Sequence, residues 1–369
     1  MRRVRRLAAL LTVVCLAAPA APASAATPTL GTTVVRSGLD IPWDLAFAPD
    51  GKMLVTGRPG RIRVYASGRK GAQLLRTVTV PKVRAEGEAG LMGIAVTKRK
   101  DITWVFVCAS RQVDAGWRNQ VLRYRLGSGG GMRLDKVVLG GMRAASIHNG
   151  CPVEVGPDGK LWVGMGDAAD LSLPQKRSSR NGKILRVNLN GSIPADNPFG
   201  RSPVYALGIR NPQGIAFYPG TKRAYSIEHG PHVHDEINRL RAGGNYGWPC
   251  WTGRSTAYQR STGCGPASDY LAPAWSSGSS TIATSNGTFL RGEAWGSWRR
   301  SLVVSTLKES DVRRFVFGTK GYRAEQRSVL FDGRWGRLRA AVMSPNGRAL
   351  YLTTSNGGGR DRVIRVRPR

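Results

Sequence analysis

One pattern recurs along the chain: a short apolar run, a turn built on Pro-Asp-Gly or Pro-Asn-Gly, and a second apolar run. It reads WDLAFAPDGKMLVT at 43–56, CPVEVGPDGKLWVG at 151–164 and RAAVMSPNGRALYLT at 339–353. Asp-Gly and Asn-Gly tolerate positive φ, so these segments predict β-hairpins. A variant of the same pattern, NPQGIAFYPGTKRAYS, occupies 211–226, and weaker copies fill 91–109 and 286–306. Each hairpin is followed by a short strand mixing basic and apolar residues: 61–65, 120–126, 183–189, 236–240, 312–317 and 362–367. No amphipathic helix of ordinary length is legible. Six such units, each too small to bury its own faces, predict an all-β fold, a six-bladed β-propeller of four-stranded antiparallel sheets. A β-sandwich or an open solenoid is the competing arrangement, and the even spacing and the length favour closure.

The N-terminus breaks this pattern. MRRVRR is a basic segment, LAALLTVVCLAAPA is apolar but too short to span a membrane, and ASA at 23–25 is a small-residue cleavage site. Residues 1–25 therefore predict a signal peptide cut after Ala25, leaving 26–369 as a single exported propeller domain. Cys15 lies in a poor context for lipid attachment. Export accords with the remaining cysteines. Cys108, Cys151, Cys250 and Cys264 form an even set without CxxC spacing, which predicts disulfides rather than a metal centre. Cys250–Cys264 brackets a Gly-, Ser- and Thr-rich loop and is the favoured pair, with Cys108–Cys151 as the other.

The formal charge is +33, and removing the four signal arginines leaves 33 − 4 = +29. Such a charge attracts anionic cell-surface polymers nonspecifically. The arginines are dispersed and do not interleave with aromatics as in a nucleic-acid module, so no specific nucleic-acid partner is expected.

A propeller gathers ligands in the funnel at one end of its axis, so functional residues belong at equivalent positions in successive repeats. Glu88 precedes the second hairpin, His148-Asn149 the third, Arg210-Asn211 the fourth and Arg337-x-Arg339 the sixth, while Lys308 ends a strand of the fifth unit. A histidine amid cations suits an anionic cofactor plus a general base. The stretch 208–249 adds a Gly230-Pro231 turn, the carboxylate pair Asp235-Glu236 and a Gly-rich loop ending at Tyr246 and Trp248. Its oxygen groups suit calcium; a salt-bridged hairpin loop is the alternative. His232 and His234 have H-x-H spacing but read as loop surface.

GIRNPQGIAF (208–217), EHGP…DEIN (228–238), NYGWP (245–249), NGKILRVN…IPADNPF (181–199) and GRLR (336–339) together resemble the pyrroloquinoline quinone (PQQ)-dependent soluble glucose and aldose sugar dehydrogenases. The resemblance spans roughly 35–367 and implies a six-bladed propeller. It implies that His148 is the base that takes the anomeric hydroxyl proton of an aldose while hydride passes to PQQ. Arg210 would lie beside the reacting carbonyl, followed by Asn211. Lys308, Arg337 and Arg339 would hold cofactor oxygens, with Thr281 and Glu88 as further contacts. The carbonyls of Gly230 and Pro231 would bind a calcium that bridges to PQQ, and Glu236 and Tyr246 a second, structural calcium. An external electron acceptor is implied. Two positions depart from the soluble glucose dehydrogenase pattern: Ile147 stands where an acidic residue precedes the histidine, and Glu88 where a glutamine meets the cofactor. A noncatalytic glycan-binding propeller is the alternative function. A calcium-dependent lactonase is a weaker one, since its channel would want several carboxylates.

Overall fold

The computed structural model describes residues 26–259 and 264–369, so the expected signal peptide lies outside the described residues. Six four-stranded antiparallel sheets are present, with one additional two-stranded ribbon. Their innermost strands are Pro42–Phe47, Leu91–Arg99, Gly150–Val155, Pro212–Phe217, Thr284–Phe289 and Leu338–Met343. Each packs beside the next and the sixth returns to the first, closing the ring. These strands and their hairpin partners are the segments that the turn pattern predicts. Among the described residues the only helical pieces are two short 3₁₀ turns.

Closure uses the two ends of the chain. Leu30–Leu39 supplies the outermost strand of the sixth blade, pairing antiparallel with Asp361–Pro368 from Leu30 opposite Pro368 to Leu39 opposite Asp361. The core is divided among the gaps between blades. The largest cluster, between blades two and three, includes Met92, Phe106, Cys108, Cys151, Val163 and Leu185. Five further clusters fill the other gaps. Both faces of a blade are buried, which is why the second strands read as continuous apolar runs.

All six innermost strands carry a β-bulge at their first residues, at Pro42/Asp44, Leu91/Ile94, Gly150/Val153, Pro212/Gly214, Thr284/Gly287 and Leu338/Ala341. A bulge bends a strand and re-aims its side chains. These bulges stand at one end of the ring, where the candidates Glu88, His148, Arg210, Thr281 and Arg337 lie one to three residues before five of the strands. Both expected disulfides are formed, Cys108–Cys151 across the gap between blades two and three, and Cys250–Cys264 within a loop of blade four.

Candidate functional site

His148 sits just before the third innermost strand with φ +56°, a left-handed conformation. Its ring is held at both nitrogens. Nδ1 lies 2.8 Å from Asp167 Oδ1, and Nε2 lies 2.9 Å from an Arg210 guanidinium nitrogen. Arginine can only donate, so Nε2 accepts and Nδ1 carries the proton donated to Asp167. Asp167 is fully buried, and its other oxygen accepts from Trp248 Nε1 at 2.8 Å. The His148 backbone N–H donates to Glu88 Oε2 at 2.9 Å, and Asn211 Nδ2 reaches the same oxygen at 3.4 Å. Glu88 thus ties three consecutive blades together, and its charge faces Arg210 and Arg339.

Cations line the rest of this mouth. Arg210 is largely desolvated, which lowers its pKa; one nitrogen donates to the His229 carbonyl at 2.8 Å, and its Nε has no partner. Arg58 Nε is likewise buried without a partner. Arg339 lies 3.7 Å over the Trp43 ring, and burial pushes it down to about 9. Arg337 reaches the Leu307 carbonyl at 3.3 Å, and Lys308 Nζ the Thr281 carbonyl at 2.9 Å, so Thr281 supports Lys308 through its main chain. Ile147 is exposed at the rim. The opposite mouth holds a pocket of about 480 Å³ beside Glu154, Tyr218 and Arg291, away from all these residues.

The glucose/sorbosone dehydrogenase family model matches residues 39–365. The chain belongs to this family. Its sequence is 29% identical to the aldose sugar dehydrogenase YliI of Escherichia coli, over 94% of this chain and 95% of the relative. It is 33% identical to quinoprotein glucose dehydrogenase B of Acinetobacter calcoaceticus, over 92% and 88% of the two chains. The PQQ-bound aldose sugar dehydrogenase of Streptomyces coelicolor superposes with a TM-score of 0.76 at 29% identity, over 93% of this chain and 100% of that one. Membership places the protein among the PQQ-dependent sugar dehydrogenases that its motifs resemble.

PQQ is a planar quinone bearing several carboxylates, and the donor set of this family member fits it. Arg58, Arg210, Lys308, Arg337 and Arg339 bring five cations to the funnel, where Glu88, Asp167, Asp235 and Asp361 are carboxylates that face Arg210 or Arg339. The unpartnered Arg58 and Arg210 Nε atoms still have hydrogen bonds to give. Glu88 does not oppose the fit, because it is engaged by the His148 and Asn211 donors and offset by two guanidinium groups.

The two carboxylates of the Asp235-Glu236 pair face opposite sides, as strand alternation requires. Asp235 shapes the Gly230-Pro231 turn, accepting from Gly230 N at 2.7 Å and Ile282 N at 2.7 Å. Glu236 lines a small cavity with Glu228, Tyr246 and Thr252. Asn238 Nδ2 donates to both carboxylates, at 2.8 and 2.9 Å, and its Oδ1 is buried without a partner. Desolvation raises Glu228, and desolvation plus the neighbouring Glu228 raises Glu236 to about 8. Two buried carboxylates in one cavity, which Arg210 also lines, suit a hard divalent ion. His234 has both ring nitrogens engaged, by Ser276 and Thr256, and His232 is exposed.

Arg58, Asp167 and Glu228 are site residues that sequence reasoning did not select, and Trp248 was read only as the end of a loop. Lys183 was also missed. Its fully buried ammonium donates to the carbonyls of Leu173, Pro174 and Asn181 at 2.8–2.9 Å, bracing the loop that follows Asp167. The available signal was positional: Asp167 lies two residues beyond the second strand of blade three, Leu161–Met165, and Glu228 ends that of blade four, Ala224–Glu228.

Proposed function

We propose that this dehydrogenase oxidises an aldose at its anomeric carbon to the lactone, with His148 as general base. The observation that carries the reading is the Asp167–His148–Arg210 array, anchored on the buried Asp167, at the mouth of a cationic funnel. Asp167 fixes the Nδ1–H tautomer, leaving the Nε2 lone pair to take the sugar hydroxyl proton. A substrate hydroxyl reaches Nε2 only when the Arg210 contact gives way. Arg210 is then a donor for negative charge developing nearby. PQQ, when bound, supplies the two-electron acceptor; Lys308, Arg337 and Arg339 would hold its oxygens, with Thr281, Glu88 and Asn211 beside them. The Gly230 and Pro231 carbonyls would carry one calcium, and Glu236, joined by Glu228 and the Tyr246 main chain, a second.

Export after cleavage near Ala25 is part of the reading, supported by the N-terminal pattern and by two disulfides. An external acceptor would reoxidise the cofactor.

The decisive experiment is an absorbance titration of the mature apoprotein with PQQ and calcium, followed by glucose and a reducible dye. Saturable binding and dye bleaching are expected. A protein that binds no PQQ in excess calcium would instead use its funnel for glycans, and the oxidation reading would fall.

The paired carboxylates make a separate prediction about stability. Glu236 is raised from its ordinary 4.5 to about 8, so the calcium-free folded protein binds more protons than the unfolded chain across that window. Its contribution to stability therefore falls as pH rises from 4.5 to 8. Asp44 and Glu154, raised by burial to about 7 and about 8, act with the same sign. Calcium replaces the proton at the Glu228–Glu236 pair, so the melting temperature gained on adding calcium should be larger at pH 8 than at pH 5. Glu236→Gln should remove that difference and leave the slope due to Asp44 and Glu154. Equal calcium effects at both pH values, or a variant that keeps the pH-dependent difference, would take the metal away from this pair.

A further inference from the structure

The backbone that carries His148 is strained. His148, Gly150 and Cys151 have φ of +56°, +62° and +74° within four consecutive residues. A non-glycine residue in this region costs about 1–2 kcal/mol and persists only where its surroundings over-determine it. Among the six bulged strand starts, the third alone has a residue with positive φ inside the bulge, and that residue is Cys151.

Its sulfur is bonded to Cys108, in the middle of Ile102–Val113, where Cys108 is paired across the sheet with Val121. Both cysteines are wholly buried, with Cα atoms 5.8 Å apart. The bond therefore ties the bulge of blade three to a central strand of blade two. The turn is also wedged by close backbone approach. A side chain at Gly93 would strike the Cys151 carbonyl, and one at Gly166 the His148 carbonyl. Asn149 closes it from within, donating to the Ala145 carbonyl at 2.6 Å and accepting from Asn119 Nδ2 at 3.0 Å. A disulfide restricts the directions of both Cα–Cβ bonds. Fixing that direction at residue 151 limits φ there, and with it the path of the three residues leading back to the imidazole.

We propose that the Cys108–Cys151 disulfide is a positioning element for His148, holding the left-handed turn that aims its ring at Asp167. The inference rests on the reading of His148 as the base.

The test compares Cys108→Ala/Cys151→Ala with Cys108→Ala/Cys151→Gly. A bond that only cross-links the fold predicts the glycine variant to be the weaker, because glycine gains the most freedom on unfolding. A bond that holds a positive φ predicts the reverse, because glycine adopts that φ freely. The alanine pair should show about tenfold faster amide exchange over residues 145–152 in the apoprotein, matching the cost of one left-handed residue. In the PQQ-loaded enzyme its kcat should fall about tenfold, the same free energy, with KM little changed. The glycine pair should recover most of both losses. A glycine pair no better than the alanine pair, or an alanine pair like wild type, would overturn the proposal. If the alanine pair does not fold, Cys108→Ser opens the bond at nearly constant volume, and wild-type protection of 145–152 in that variant would refute it equally. The apoprotein exchange also separates the two readings. Turnover surviving His148→Ala while the turn responds as described would remove the base and leave the positioning device standing.

Discussion

Replacing His148 with alanine lowers turnover by about 10²–10⁴-fold, the span of a lost general base, while PQQ binding survives. The side chain removed is an acceptor whose orientation is set from behind. Asp167 Oδ1 takes the Nδ1 proton and also accepts from Ala169 N at 2.9 Å, while Oδ2 takes Trp248 Nε1. Asp167→Asn therefore distinguishes positioning from mere presence. Three donors face this carboxylate, and an amide offers only one oxygen. Either Trp248 meets an N–H, or His148 is driven to the other tautomer with its Nε2 lone pair gone. A comparable fall in kcat follows for a protein that folds and binds PQQ. Initial rates of dye reduction at saturating sugar, set beside the PQQ titration, provide the check. An alanine variant within a few fold of wild type would eliminate His148 as the base.

Four of the hairpins were legible because each is marked twice, by an Asp/Asn-Gly turn or its variant and by apolar runs buried on both faces; those at 91–109 and 286–306 carry the apolar runs alone. The fourth strands were not. Leu74–Thr79 and Ala324–Leu330 lie on the outer rim, half exposed, and carry no continuous apolar run. The last blade takes its outer strand from the opposite end of the chain, a pairing between Leu30–Leu39 and Asp361–Pro368 that no local signal announces. The site divides in the same way. Residues before the innermost strands share a phase in the repeat, so Glu88, His148, Arg210 and Arg337 could be picked out together. Asp167 and Trp248 meet across 81 positions of sequence, and only closure of the blades brings them to one imidazole. Asp235 and Glu236, adjacent and chemically alike, read as one pair. The strand sends them to opposite faces, one to brace a turn and the other to share a cavity with Glu228.

Arg339→Met makes the calcium-free, cofactor-free protein more stable and its hold on PQQ much weaker. The native guanidinium is paid for elsewhere in the fold: it is 7% exposed, and burial pushes its pKa down to about 9. After desolvation, the attraction of Glu88 is the largest charge effect on it; Arg337 and Arg58 repel it, and Asp361 adds a smaller attraction. Its fixed contacts are the Trp43 face and one hydrogen bond from Nε to Ser355 Oγ at 3.2 Å. Methionine retains a flexible apolar stem over Trp43 without the charge. Replacing buried ionic groups by apolar ones of similar volume is commonly stabilising by about 1–4 kcal/mol; for one partly compensated cation we expect the lower end. An anionic ligand reverses the balance. Truncating one member of a buried charge pair costs about 2–5 kcal/mol of binding, so the PQQ dissociation constant should rise by about 30-fold or more. Thermal melting of the apoprotein and a PQQ titration, run on the same preparation, read the two effects. A lower melting temperature with unchanged PQQ affinity would make Arg339 a structural residue stacked on Trp43. Opposite signs would mean that the funnel keeps an unneutralised charge at a cost in stability because its ligand brings the counter-charge.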